Sequence, residues 1–195
     1  MTTVAGSSQA FEHHEHEDPA TRLKVLRSGL WLFFLSESFL FGGLFAARFY
    51  LSGTERPDDL SQPLGLAITS VLLFSSITAY LGENAIARGN RGAFLFWIAT
   101  TIVLGVVFVA GVGLEWTTAE FGPSEKFGTI FFTMTGLHAS HVVSGIVFLV
   151  MVFALGARGH FSWQSHWGVE GVVKYWHFVD VVWLFFYPAL YLVSS

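Results

Sequence analysis

Residues 131–155 read FFTMTGLHASHVVSGIVFLVMVFAL, a stretch without one Asp, Glu, Lys or Arg. As a helix rising about 1.5 Å per residue, it would reach roughly 37 Å. The hydrocarbon core of a bilayer is about 30 Å thick. Four more apolar runs are long enough to cross it: Leu30–Leu51, Leu64–Leu81, Ala93–Leu114 and Val172–Val193. Together with Phe131–Leu155 they predict an all-α integral membrane bundle of five transmembrane helices. The joining loops are short, so consecutive helices should be antiparallel neighbours. Pro57 and Pro63 fall in the first loop and Pro123 in the third; Pro188, inside the last run, should kink its final turns.

Composition supports this class. Charged residues make up only 12% of the 195 positions, about half the share of a soluble domain. The 21 Phe and 7 Trp suit lipid-facing helices with interfacial anchors. Cysteine is absent, which removes disulfides, thiolate copper, iron–sulfur ligation and C-x-x-C-H haem attachment. Any redox role would rest on histidines alone. No basic run points to nucleic acid. No internal repeat supports an inverted-repeat transporter.

Residues 1–22 read as a polar, disordered cytoplasmic tail rather than a signal peptide, and residues 23–195 as the transmembrane domain. The tail holds His13, His14 and His16 among acidic neighbours. A loose metal site there is outweighed by an ordinary solvated tail. Seven of the ten Lys and Arg fall on the side of the N-terminus: Arg22, Lys24, Arg27, Arg88, Arg91, Arg158 and Lys174. Arg48, Arg56 and Lys126 fall on the other. The bias places the N-terminus in the cytoplasm and the C-terminus outside.

Ionisable residues inside a bilayer are costly, so each is a candidate site. Glu37 lies in helix 1, His138 and His141 in helix 4, and His177 and Asp180 in helix 5. Helical rise puts Glu37, His141 and Asp180 in one layer toward the cytoplasmic half. His138 and His141, three apart, share a helix face, as do His177 and Asp180. The Asp180 carboxylate could orient the His177 imidazole by accepting its N–H. Two readings stand: a proton-linked or metal site, or a structural cluster that joins helices or binds a partner subunit, the commoner role of buried polar groups. One helix cannot ligate both faces of a haem through His138 and His141. Gly29, Ser36, Gly43 and Ala47 form a small-residue side on helix 1. Thr69, Ser70, Ser75, Ser76 and Thr78 could bond to backbone or to a neighbouring helix. Trp116, Trp163, Trp167 and Trp176 sit near run ends, where aromatic belts belong.

At these motifs the sequence resembles the cytochrome c oxidase subunit III family of the haem-copper oxidases. Tyr175-Trp-His-Phe-Val-Asp-Val-Val-Trp183 is the most specific signature. Thr135-Gly-Leu-His-Ala-Ser-His141 is similar to the family's T-G-x-H-x-x-H. Leu26-Arg-Ser-Gly, Ser36-Glu37, Leu114-Glu-Trp116 and the stretch from His160-Phe161 through His166, Gly168 and Glu170 follow in order. The likeness runs from about Leu23 to the C-terminus. It covers the last five of the seven helices that many members have. The family's lipid-holding cleft lies between the first two helices and the other five, and the lipid contact of a histidine pair that some members have before helix 1 is not carried over to His13, His14 and His16, which lie further upstream.

The resemblance implies a subunit without haem, copper or catalytic residues. It would pack against the haem- and copper-bearing catalytic subunit I, beside subunit II and small subunits. There it would bind phospholipid and sustain proton uptake while the complex reduces O2 to water and pumps protons. Glu37 would be the family's intramembrane glutamate and Arg27 a contact for lipid phosphate. His138, His141, His177 and Asp180 fall on signature positions. The expected setting is a bacterial-type cytoplasmic (inner) membrane. The rival readings are an accessory subunit of nitric oxide reductase, a free-standing proton channel or transporter, and a haem-binding membrane anchor.

Overall fold

The computed structural model describes residues 19–53 and 61–193. The tail histidines His13, His14 and His16, and Pro57, lie outside the described residues. Five helices follow in chain order: α1 Pro19–Ser52, α2 Gln62–Ala87, α3 Arg91–Thr118, α4 Lys126–Ala157 and α5 Trp167–Tyr187. A π-helical turn, Pro188–Leu192, continues from α5. Pro188 therefore changes the hydrogen-bond pitch at the place where a kink was expected. Helix α1 begins at Pro19, so residues assigned to the tail as far as position 22 are its first turn. Helices α1 to α4 outrun their apolar runs at both ends because polar end residues such as Arg91 and Lys126 are helical as well, while α5 starts before its run and ends within it.

Four helices are long and apolar enough to cross a membrane: Thr21–Ser52 of α1, then α2, α3 and α4. The chain is a multi-pass membrane protein. Helix α5 is not among them, because Glu170, Lys174 and Asp180 lie within its 21 residues.

The described residues fall into two compact units, one up to Glu37 and one from Ser38 on. In the first, Trp31 meets Phe34 edge-on at 5.8 Å. In the second, α2 to α5 close a ring in which α2 packs on α3, α3 on α4, α4 on α5 and α5 back on α2. A three-residue turn joins α2 to α3, so the two are antiparallel. Arg91, opening α3, donates to the carbonyl of Ala157 at the end of α4.

Close approach in the ring is set by glycine. A Cβ at Gly105 would lie 2.6 Å from the Trp176 ring, and one at Gly145 2.8 Å from it. Trp176 thus fits between α3 and α4 because neither presents a side chain there. On α1 a Cβ at Gly43 would meet nothing within 4 Å. Among the described residues, the glycines at which helices approach closely lie on α2, α3 and α4.

Candidate functional site

The seam between α2 and α5 is a ladder of indole and hydroxyl groups. Trp176 Nε1 donates to Ser75 Oγ at 2.9 Å, and Trp183 Nε1 donates to Thr69 Oγ1 at 2.9 Å. Each hydroxyl in turn donates to its own helix, Ser75 to the Leu72 carbonyl at 2.6 Å and Thr69 to that of Gly65 at 2.7 Å. The hydroxyls therefore spend their proton on α2 and their lone pair on α5, which satisfies two buried indoles without an exposed polar group. Next to Ser75, Ser76 Oγ shares a 2.6 Å hydrogen bond with His177 Nδ1. Trp176 is 1% exposed and belongs to this seam. The belt position read from its place near a run end is corrected.

Asp180 and His138 lie deeper in the ring. Asp180 is 3% exposed and His138 0%. The His138 ring is 4.7 Å from that of Trp183, tilted 30°, and meets Phe108 edge-on at 5.6 Å. Neither nitrogen of His138 and neither oxygen of Asp180 has a hydrogen-bond partner among the described residues. Ser76 lies near the Asp180 carboxyl, yet its bond goes to His177. The expected His177–Asp180 hydrogen bond is not made.

His138 and His141 also part company. His141 is half-buried and meets Phe41 of α1 edge-on at 4.9 Å, with Nδ1 2.8 Å from the Leu137 carbonyl of its own helix. One imidazole is sealed inside the ring while the other faces the second half of α1. Arg27 and Glu37, in the first unit, are exposed and half-buried respectively. About 15 Å of helix rise separates them along α1.

A second polar layer lies where α1 and α3 end and α2 and α4 begin. The Tyr191 hydroxyl donates to Glu115 Oε2 at 2.6 Å, and both residues are buried. The tyrosine ring reaches that carboxylate because α2 carries glycine opposite it: a Cβ at Gly65 would lie 2.5 Å from Tyr191 Cε1. Arg48, 0% exposed, donates from Nε to the Ala189 carbonyl at 3.2 Å and from an Nη to that of Gly53 at 2.9 Å. Its guanidinium also lies 5.0 Å from the centre of the Phe127 ring. The carbonyl of Ala189 is thus held by α1, two residues before Tyr191.

Sequence reading placed Arg48 at a helix end, read Glu115 only as half of a motif, and missed Tyr191. The available signal was weak: a lone acid directly after an apolar run, and one Tyr past Pro188. Among the described residues no three His, Cys, Asp or Glu side chains are grouped so that they could hold a metal ion.

Comparison with known proteins gives this arrangement its family. Residues 8–195 match the family described as Cytochrome c oxidase subunit III. Cytochrome c oxidase subunit 3 of Thermostichus vulcanus is 36% identical over 197 residues, covering 97% of this chain and 95% of that protein. The subunit 3 proteins of Dugong dugon and Coturnix japonica are 37% and 35% identical, each over 90% of this chain and 72% of the relative. With the family matched over residues 8–195, the chain belongs to the cytochrome c oxidase subunit III family.

Proposed function

We propose that this chain is the non-redox subunit III of a proton-pumping aerobic terminal oxidase of the cytochrome c oxidase type. It supports a catalytic subunit I that carries the haems and copper, next to subunit II, in a bacterial inner membrane. The likeness to the Thermostichus vulcanus protein over almost the whole of both chains carries this reading. Helix α5 crosses the bilayer as a fifth span. Its Lys174 pairs with Glu170 near one end, and Asp180 is buried in the ring. The N-terminus is cytoplasmic and the C-terminus outside, as the excess of Lys and Arg on the N-terminal side indicates.

Glu37, His138, His141, His177 and Asp180 act as structural and electrostatic groups rather than as acids or bases in O2 chemistry. Arg27 contacts a lipid phosphate, and Glu37 lies deeper along the same lipid and helps to sustain proton uptake. Purification in mild detergent should bring down a larger haem protein with this chain. The chain by itself should show no Soret band. Glu37→Gln should leave assembly and initial O2 consumption near normal, while Glu37→Leu should hasten the decay of activity over repeated turnovers. A monodisperse single chain that transports protons alone would refute the reading. So would loss of the first turnovers in an intact Glu37→Gln complex.

A further inference from the structure

The turn between α2 and α3 builds a pocket that neither polar layer uses. It has a volume of about 430 Å³. That is within the usual range for small-ligand sites, about 300–1,000 Å³. Tyr80, Asn84 and Arg88 line it from α2 and its cap, and Asn90 and Trp97 from the turn and α3. Its remaining walls are aliphatic.

The backbone around Arg88 is fixed. Arg88 caps α2 with its N–H on the Asn84 carbonyl at 3.2 Å, and Asn90 N–H donates to the Ala85 carbonyl at 2.9 Å. Between them Gly89 takes φ +75°, a left-handed conformation that glycine adopts without strain. Asn90 Oδ1 accepts from Ala93 N at 3.0 Å and so caps α3, and among the described residues the side-chain N–H groups of Asn90 make no hydrogen bond. Arg91 is engaged elsewhere, on the Ala157 carbonyl. The Arg88 side chain is exposed and makes no hydrogen bond or ion pair among the described residues.

We propose that this pocket binds the phosphate headgroup of an anionic phospholipid. Three observations favour a lipid over a free anion. Both walls are helices long and apolar enough to span the bilayer, and the pocket lies at their common end. Tyr80 and Trp97 line the pocket together with Arg88, and amphipathic rings of this kind belong at the headgroup level. The remaining lining residues, Leu81, Ala85 and Ala93, are apolar, as contact with acyl chains requires. Arg88 supplies a planar, bidentate donor for phosphate oxygens, Asn90 adds amide donors, and the start of α3 adds the positive end of its helix dipole. The site rests on the membrane placement of α2 and α3, and it is separate from the lipid contact proposed for Arg27 and Glu37.

The test uses the purified oxidase complex in nanodiscs of phosphatidylcholine, with or without phosphatidylglycerol. Retained lipid is counted by mass spectrometry after washing in detergent. The expected result is that Arg88→Ala loses about one phosphatidylglycerol per complex, with all subunits retained. Arg88→Lys should lose part of it, because an ammonium cannot make the bidentate contact. Arg27→Ala should remove a different lipid, so that the two losses add. An Arg88→Ala complex that keeps its full phosphatidylglycerol would overturn the proposal. So would displacement of the lipid by inorganic phosphate, which would mark a free-anion site. Failure to co-purify with a haem subunit would sink the proposed function, whereas an unchanged lipid count in an intact complex sinks only this pocket.

Discussion

The two polar layers of the second unit are built from the same kinds of residue and have opposite internal accounts. At the end where α1 and α3 finish, buried Glu115 receives the Tyr191 hydroxyl and buried Arg48 holds two backbone carbonyls. In the middle of the ring, buried His138 and Asp180 have no hydrogen bond among the described residues. Hydrogen bonds make the first layer a joint between distant pieces of chain: α1 to the final turn, and the final turn to α3. The second layer bears no such joint, and the indole–hydroxyl pairs beside it hold α5 to α2. Burial of an ionisable group therefore does not by itself show what holds the fold. A partner does.

The largest effect should come from Arg48→Ala. The substitution removes both carbonyl bonds and a large, fully buried side chain beside Phe127. A cost of about 3–5 kcal/mol is expected, the range for truncating big buried side chains. It should appear as an early loss of this subunit when the complex is titrated with denaturing detergent. Retention equal to the unmodified complex would mean that the end layer is not the joint described here.

Tyr191→Phe should come next, at about 1.5–3 kcal/mol, because it deletes one hydroxyl and strips a buried acid of its donor. Pairing it with Glu115→Gln sharpens the comparison. The double variant should cost clearly less than the two single costs added, since the partners lose one shared interaction. Simple additivity would show that the 2.6 Å contact contributes nothing.

Much of this architecture was open to a reader of the sequence, but unevenly. Apolar run length is a one-dimensional property, so the helices and their order were legible. Their ends were not, and that misled the reading of Trp176: it lies near the start of the run Val172–Val193, yet α5 begins at Trp167. The pairing of Tyr191 with Glu115 spans 76 positions and leaves no local trace. His138 and His141 show the limit of helical periodicity. Three residues differ by about 60° around the axis, close enough to share a face. That same angle separates an imidazole packed on Trp183 from one that touches Phe41. The spacing named the candidates without showing which would be enclosed.

The smallest effect on stability is expected in the layer that drew attention first. Asp180→Asn keeps the shape of the side chain, and His138→Leu keeps an apolar body of similar size against Trp183 and Phe108. Neither removes a hydrogen bond among the described residues, and replacing such groups by others of like shape is often close to neutral. Each variant should cost less than about 1 kcal/mol in the same detergent titration. Ser76→Ala, which deletes the 2.6 Å contact to His177, should cost somewhat more, about 1 kcal/mol. If Asp180 and His138 instead serve the complex electrostatically, their variants should assemble normally and lose O2 consumption faster over repeated turnovers. Stability and sustained activity would then separate: Tyr191→Phe would lower the first, and Asp180→Asn the second. An Asp180→Asn complex that falls apart as readily as Tyr191→Phe would erase the contrast between the layers and place Asp180 among the groups that hold the bundle.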